Sequence, residues 1–165
     1  LKHFNSTYIK NLSPEAFFAV AEPYLKEGIK NPDIDLTLVA PLIQTRLDTL
    51  TEIPEMLDFF DALPEYSNDL YTHKKMKTNP EVAKAALEMI RPVIEGISEW
   101  TETAIHDALM AAIAEAGMKN GAVLWPLRIA ISGQASTPGG AIEIAWLLGK
   151  DECLRRIDLG IAKLD

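Results

Sequence analysis

Apolar residues recur at helical spacing along most of the chain. The clearest stripe precedes Gly117 and consists of Ala104, Ile105, Ala108, Leu109, Ala112 and Ile113. Similar stripes begin at Phe17, Leu36 and Val82. An apolar residue at every third or fourth position covers one face of a helix. Because no segment alternates apolar and polar residues as a half-buried strand does, the pattern predicts an all-α fold of about eight to ten helices.

Helix start signals separate these stripes. Ser13-Pro14-Glu15 and Asn79-Pro80-Glu81 each place a capping side chain, a proline at the first helical position and a carboxylate in the first turn. The capping oxygen accepts a free backbone N–H, proline loses no hydrogen bond there, and the acid faces the positive end of the helix dipole. Pro54-Glu55 repeats most of this pattern. We therefore predict helices that begin near residues 14, 54 and 80.

Glycines mark the expected helix ends. They are Gly28, Gly96, Gly117 and Gly149, and each follows an apolar stripe. A residue without a Cβ can adopt the left-handed conformation that closes a helix. We expect that conformation at these positions.

Residues 63–79 form the least regular part of the sequence and include the basic cluster His73-Lys74-Lys75-Met76-Lys77. A polar segment of this kind between two helical regions is typical of a domain junction. We therefore predict two small packed helical subdomains, residues 1–76 and residues 77–165. The basic cluster itself is typical of a solvated loop, although it could touch RNA phosphates.

Composition is that of a globular protein of one large or two small domains. The chain has 165 residues, of which 48% are hydrophobic, and this is enough to build a core. No apolar run is long enough to span a bilayer and no secretion signal is visible, so we expect a soluble, cytoplasmic protein without membrane contact. Cys153 is the single cysteine, and with three scattered histidines it predicts no metal site.

The net charge of −8 argues against a nucleic-acid partner, because affinity for phosphates comes largely from Lys and Arg. The excess acid, however, lies entirely in residues 1–122, since residues 123–165 hold five positive and five negative charges. A segment that inspects only a few bases can tolerate such a balance.

Recognisable catalytic motifs are absent from the sequence. It has no glycine-rich phosphate loop, no HExxH, no CxxC and no GxSxG elbow. His3, His73 and His106 are far apart and lack a paired nucleophile, so solvated or capping roles are expected for them. Cys153, within a helical segment, is expected to be a small buried residue. We predict that the chain has no catalytic residues and performs no reaction alone.

The most informative stretch is LWPLRIAISGQASTPGGAIEI at residues 124–144. It closely resembles the PLRxAxTG...(S/T)PG signature in the last domain of bacterial glutamate-tRNA ligases. Residues 145–157 resemble the LGKExxLxRI ending of the same family. The amino-terminal segment resembles the family's WxNxxYI stretch, with Phe4 in place of the usual tryptophan, and residues 46–55 also fit. The resemblance covers essentially the whole chain and is strongest at residues 124–157.

The resemblance implies an all-helical anticodon-binding cage joined, in the same polypeptide, to an N-terminal Rossmann-type catalytic domain. That domain would bind ATP and Mg²⁺, activate glutamate and transfer it to tRNA(Glu), and its HIGH-like and KMSKS-like sequences are missing here. We accordingly expect no cofactor in this chain. The expected partners are the anticodon loop of tRNA(Glu) and the catalytic domain, in a monomeric enzyme.

The resemblance also assigns binding residues. Its counterparts near the anticodon bases are Arg46, Leu127, Arg128, Thr137, Pro138, Gly139, Gly140 and Ala141, with no catalytic residue among them. The residues themselves support part of this assignment, since Thr137 could cap the following helix while the glycines expose backbone groups to close approach by unstacked bases. Arg46 matches the family arginine associated with rejecting glutamine-type anticodons. Taken alone, each of these residues is explained equally well as an ordinary turn or surface residue and as a base contact.

Two alternatives remain open at this stage. A helical protein-interaction or scaffolding module would use the apolar stripes and the Pro-Gly-Gly turn for packing alone, and the acidic charge favours it slightly. A non-discriminating ligase would charge both glutamate and glutamine tRNAs, and Arg46 argues against that. RNA binding would separate the first alternative from the leading hypothesis, and the ratio of charging efficiencies would separate the second.

Overall fold

A computed structural model describes residues 5–165, and Phe4 of the amino-terminal signature lies outside this range. Within it, nine α-helices are joined by turns, and the only strand-like pairing is one isolated bridge between His73 and Thr78. The all-α prediction is therefore confirmed for the described residues. None of their helices is both long enough and apolar enough to cross a membrane.

The chain divides into two compact units, one ending at Ala62 and the other spanning Leu63–Asp165. The first contains helices α1 (Ser6–Asn11), α2 (Pro14–Gly28), α3 (Leu36–Ile43) and α4 (Ile53–Leu57), with 3₁₀ turns at Gln44–Arg46, Leu50–Glu52 and Asp58–Phe60. The second contains a 3₁₀ turn (Asn68–Tyr71) and helices α5 (Pro80–Glu95), α6 (Glu102–Ala116), α7 (Asn120–Ser132), α8 (Ala141–Leu148) and α9 (Lys150–Leu164). The division between units precedes the irregular segment 63–79 rather than falling at residue 76.

The predicted helix starts are confirmed. Helix α2 begins at Pro14, and the Ser13 hydroxyl accepts the Ala16 N–H at 3.2 Å. Helix α5 begins at Pro80 in the same way, with the Asn79 side-chain oxygen accepting the Val82 N–H at 2.9 Å. Each cap satisfies a backbone donor that the first helical turn leaves without a partner.

The predicted left-handed helix ends are only partly confirmed. Gly117 closes α6 with φ 68°, as expected, and Gly149 between α8 and α9 also has a positive φ but an extended ψ of 156°. Gly96 keeps a right-handed backbone, and Gly28 is the last residue of α2, so the prediction is wrong at both. At Gly28 the absence of a side chain serves packing, because a Cβ there would lie 3.0 Å from the Pro54 Cα.

The first unit is built around α2, which packs against α3 and α4. Its core side chains come from all three helices and include Phe17, Ala21, Leu25, Val39, Ile43, Ile53 and Leu57. The Gln44 amide donates to the Ile9 and Leu12 carbonyls, at 2.9 Å each, and so ties the end of α1 to the turn that carries Arg46.

The second unit is built around α5 and α7. Helix α5 packs against α6, α7 and α9, and α7 also contacts α6, α8 and α9. Helix α7 is therefore covered on most sides, and its buried residues are Ala122, Val123, Pro126, Leu127, Ile129, Ala130, Ile131 and Ser132. Such all-round burial fixes the backbone of α7, from which the partly exposed side chains of Trp125 and Arg128 project.

The segment before α5 also packs on the second unit. The Trp125 indole N–H donates to the Leu70 carbonyl at 2.8 Å, and the Asn68 amide donates to the Lys163 carbonyl at 3.0 Å. The Tyr66 and Tyr71 hydroxyl groups lie 2.7 Å apart, and burial raises the pKa of both phenols. The irregular sequence thus forms an ordered part of the second unit.

Arg156 of α9 is fully buried and supports the end of α7. Its Nη1 donates to the Ile131 carbonyl at 2.7 Å, and its Nε donates to Glu152 at the same distance. Hydrogen bonds from Arg155 and Arg156, with their positive charges, lower the pKa of Glu152 to about 2. The neighbouring Cys153 is buried, as expected, and desolvation raises the pKa of its thiol to about 12.

Candidate nucleic-acid interface

Helix α7 presents an aromatic and a cationic side chain on its exposed face. The Trp125 indole is oriented by its hydrogen bond to Leu70. The guanidinium carbon of Arg128 lies 5.8 Å from the centre of the Trp125 ring, within the range of a cation–π interaction. The two half-buried side chains therefore place an aromatic ring and several hydrogen-bond donors next to each other.

The turn between α7 and α8 is fixed by hydrogen bonds from its own side chains. The Ser132 hydroxyl donates to the Arg128 carbonyl at 2.6 Å and accepts the Gln134 N–H at 3.1 Å. Gly133 closes α7 in the left-handed conformation with φ 67°, and Gly139 has φ 81°. Both conformations favour glycine, which explains two glycines in the sequence of this turn.

Thr137 does not cap α8, contrary to the prediction from the sequence. Its hydroxyl donates to the Gly139 carbonyl at 2.9 Å, and Gly140 occupies the capping position. The left-handed Gly139 lies between Thr137 and the first helical residue, Ala141, so the threonine closes the turn instead. The Gly140 N–H is satisfied by Glu143, whose Oε1 accepts it at 2.9 Å.

These elements border a cleft of about 480 Å³ in the second unit. Its walls come from the irregular segment, α7 and the start of α8, and its lining residues are Met76, Gly121, Leu124, Trp125, Arg128, Gly140, Ala141, Ile142 and Glu143. The lining is mostly apolar, with one guanidinium and one carboxylate. A cleft of this kind fits a planar group that carries hydrogen-bond donors and acceptors.

The structure brings together seven of the eight candidate residues named from the sequence. Arg128, Gly139 and Gly140 are partly exposed at the cleft and its adjoining turn. Four others are buried, namely Leu127 (0% exposed), Thr137 (3%), Pro138 and Ala141 (6%), and of these only Ala141 lines the cleft. The eighth, Arg46, is exposed at the end of a 3₁₀ turn in the first unit.

Six lining residues were not singled out as binding residues from the sequence, namely Met76, Gly121, Leu124, Trp125, Ile142 and Glu143. Trp125 stands in the signature stretch, and an aromatic residue three positions before an arginine in a helix was the available signal. Glu143 looked like a helix-start acid, which is also its role here. Met76 comes from a segment that is distant in sequence, and no local pattern predicts its contact with α7.

Metal-ligand groupings are absent from the described part of the chain, where no three His, Cys, Asp or Glu side chains cluster. His106 is exposed beside Asp107 at 3.1 Å. His73 is half-buried, and its Nδ1 accepts the Met76 N–H at 3.1 Å. His3 lies outside the described residues.

Relatives and solved structures agree on what this chain resembles. It is 52% identical over 164 residues to the glutamate--tRNA ligase of Clostridium tetani and 49% identical over 165 residues to that of Clostridium acetobutylicum. These alignments cover 99% and 100% of this chain but 33% and 34% of the relatives, so the chain spans about a third of their length.

Two solved structures share the fold. One is a glutamate tRNA ligase from Elizabethkingia meningosepticum in complex with its amino acid, with a TM-score of 0.75 and 20% identity, and it matches 98% of this chain over 31% of its own. The other is a glutamate-tRNA synthetase from Elizabethkingia anophelis, with a TM-score of 0.71 and 19% identity, matched over 96% of this chain and 30% of its own. At this identity the likeness establishes the fold alone.

A family profile described as "Anticodon binding domain" matches residues 16–161. The match takes in both compact units and every candidate residue from Arg46 to Ala141. The resemblance stated from the sequence is confirmed by this match together with the named relatives. With the profile covering nearly all of its length, the chain belongs to the anticodon binding domain family.

Proposed function

We propose that this chain is the anticodon-reading part of a glutamate-tRNA ligase and that the cleft beside Arg128 receives an anticodon base of tRNA(Glu). The family match and the names of the relatives support the class of function. The single observation that carries the proposed site is the placement of the Arg128 guanidinium over Trp125, next to the Gly139–Gly140 turn.

The cleft offers two kinds of contact that unstacked RNA bases use. A base can stack on a flat aromatic or guanidinium surface, and its edge can hydrogen-bond to nearby donors and acceptors. Arg128 supplies fixed donors, whereas the turn at Gly140 allows close approach because it carries no side chain. The two contacts together favour a single-stranded base over a duplex.

The buried candidate residues have a supporting role in this proposal. Leu127 is buried in α7, Ala141 contributes a nearly buried methyl group to the cleft wall, and Thr137 and Pro138 hold the turn that leads into α8. In this arrangement the side chains of Leu127, Thr137 and Pro138 would not touch RNA, and Ala141 would offer only its methyl group. Substitutions there would change the shape of the cleft through packing rather than through lost base contacts.

The first unit contributes Arg46 to the same proposal. The arginine is exposed at the end of the Gln44–Arg46 turn, which the Gln44 amide holds in place. We assign it the third anticodon base, with discrimination against glutamine tRNA. This assignment rests on the match of residues 46–55 to the family segment.

The activity of the whole enzyme is also part of the proposal. Glutamate activation with ATP and transfer to the terminal adenosine of tRNA(Glu) would belong to the N-terminal catalytic domain of the same polypeptide. ATP and Mg²⁺ are assigned to that domain, because the resemblance to glutamate-tRNA ligases implies that the catalytic domain binds them. We further propose that the full enzyme acts as a cytoplasmic monomer.

Binding of an anticodon stem–loop tests the site. Arg128→Ala removes the donors and the cation over Trp125, so we expect about 5- to 30-fold weaker binding of the tRNA(Glu) stem–loop, which corresponds to about 1–2 kcal/mol. Fluorescence anisotropy with a labelled stem–loop measures this change.

Arg91→Ala is the matched control. It removes the same charge from the second unit, but Arg91 pairs with Asp158 and Glu95 and does not line the cleft. Equal losses for the two variants would mean that Arg128 acts through overall charge, and the assignment of the cleft would be wrong. Absence of RNA binding by the unsubstituted chain would favour a protein-interaction module instead.

A further inference from the structure

We propose that the loop His73–Thr78, called the lysine loop below, is a second RNA contact that binds the phosphate backbone next to the base-reading cleft. The inference rests on the proposed function and adds a contact of a different chemical kind. Phosphate contacts position an RNA, whereas base contacts select its sequence. The loop would therefore contribute affinity without contributing specificity.

The lysine loop has a defined backbone. His73 and Thr78 pair through two hydrogen bonds, with the N–H of each donating to the carbonyl of the other at 3.0 and 3.2 Å. The His73 ring nitrogen Nδ1 accepts the Met76 N–H at 3.1 Å inside the loop. Lys77 has φ 56°, a left-handed conformation that non-glycine residues adopt in tight turns. The loop is thus a closed turn rather than a free tether.

Two side chains fasten the lysine loop to α7. The His73 ring lies 4.4 Å from the Trp125 ring, centre to centre. Met76 packs on Gly121, where a Cβ would lie 2.5 Å from the Met76 sulfur. Because Met76 and Trp125 both line the cleft, the loop forms one of its rims. The lysines of the loop are therefore within three residues along the chain of a residue that lines the cleft.

Besides the two anchoring side chains, the lysine loop carries three lysines. Lys74, Lys75 and Lys77 are exposed, and within residues 5–165 none of them forms an ion pair. Lys119, exposed at the start of α7 two residues before Gly121, adds a further cation near the Met76 contact. The loop is thus a local positive patch in a chain of net charge −8.

Charge and position together favour phosphodiester groups as the partner. Like charges on adjacent residues repel one another, and a polyanion would relieve that repulsion. An RNA strand with one base in the cleft carries its phosphates to either side of that base. The loop is fixed at the cleft rim through Met76 and His73, so its lysines would lie near one of these phosphates.

The test measures RNA binding of the full 165-residue chain as a function of salt. The variant Lys74→Gln/Lys75→Gln/Lys77→Gln removes the charges and keeps the backbone and both anchoring side chains. We expect roughly tenfold weaker binding at 0.1 M salt and a salt slope lower by about two, since each phosphate contact contributes about 0.7 to the slope with single-stranded nucleic acid. The loss should be equal for the tRNA(Glu) stem–loop and for one with a scrambled loop.

A matched control removes equal charge elsewhere. Lys10→Gln/Lys26→Gln/Lys30→Gln changes three exposed lysines of the first unit, and it should keep the salt slope. One outcome would separate the two proposals. If the loop variant keeps its salt slope, as this control should, while Arg128→Ala still lowers the preference for the tRNA(Glu) stem–loop over the scrambled one, the cleft is an RNA contact and the lysine loop is not. If the unsubstituted chain binds neither RNA, both proposals are overturned.

Discussion

Arg156→Ala is expected to destabilise the second unit by about 3–5 kcal/mol, because it leaves the buried Ile131 carbonyl without its donor and removes one of the two arginines that donate to Glu152. Arg156 is fully buried, donates to the Ile131 carbonyl at the end of α7, and donates to Glu152. The substitution also leaves a cavity where one of the largest buried side chains of the unit stood.

Urea unfolding, monitored by tryptophan fluorescence, measures the loss of stability of the second unit. All three tryptophans, Trp100, Trp125 and Trp146, belong to the second unit. The control is Arg155→Ala, which removes an exposed arginine bound to the same Glu152 at 2.6 Å. A surface pair of this kind contributes about 0–1 kcal/mol. Similar losses for the two variants would show that burial of Arg156 contributes little to stability.

Arg46→Gln in the full-length ligase is expected to narrow the ratio of charging efficiencies for glutamate and glutamine tRNAs. The two anticodons differ at the third position, where C in the glutamate anticodon is replaced by G. A guanidinium has several donors and no acceptor, so it can satisfy the O2 and N3 acceptors of cytosine. Guanine presents a donor-bearing edge and greater bulk, so the two bases should not fit equally.

Losing a base-edge pairing of this kind costs about 1 to 3 kcal/mol by analogy with duplex readout, or roughly a 5- to 150-fold preference. The ratio of the two charging efficiencies should fall chiefly because the variant charges glutamine tRNA more efficiently. Both charging efficiencies must be measured at one salt concentration, because phosphate contacts respond strongly to salt. A folded Arg46→Gln variant with an unchanged ratio would assign Arg46 to an ordinary surface role and leave the non-discriminating alternative open.

Local signals in the sequence predicted the helices well. The caps at Ser13 and Asn79 act over a few residues, and both begin the helices that they predict. Glycines were less informative, because Gly28 meets Pro54 from another part of the chain rather than closing a turn. A glycine required for packing cannot be distinguished from a glycine required for its backbone angles without knowing what it meets.

The candidate site was only partly accessible from the sequence. The signature stretch named Arg128 and the Gly139–Gly140 turn, which border the cleft in the structure. It did not predict that Leu127 and Thr137 are buried, since α7 is covered from several sides by helices distant in sequence. The packing of Met76 on Gly121 depends on such a long-range contact too, so the basic cluster could not be placed beside the cleft beforehand.

The most direct test of the central claim is an NMR titration of the three tryptophan indole N–H signals with the tRNA(Glu) anticodon stem–loop. Trp125 lines the cleft, whereas the Trp100 indole N–H donates to the Trp146 carbonyl at 3.2 Å and Trp100 does not line the cleft. We expect the Trp125 signal to shift with the stem–loop, to shift less with a scrambled loop, and the Trp100 signal to stay in place. Saturable binding of the stem–loop with an unchanged Trp125 signal would contradict anticodon reading at this cleft.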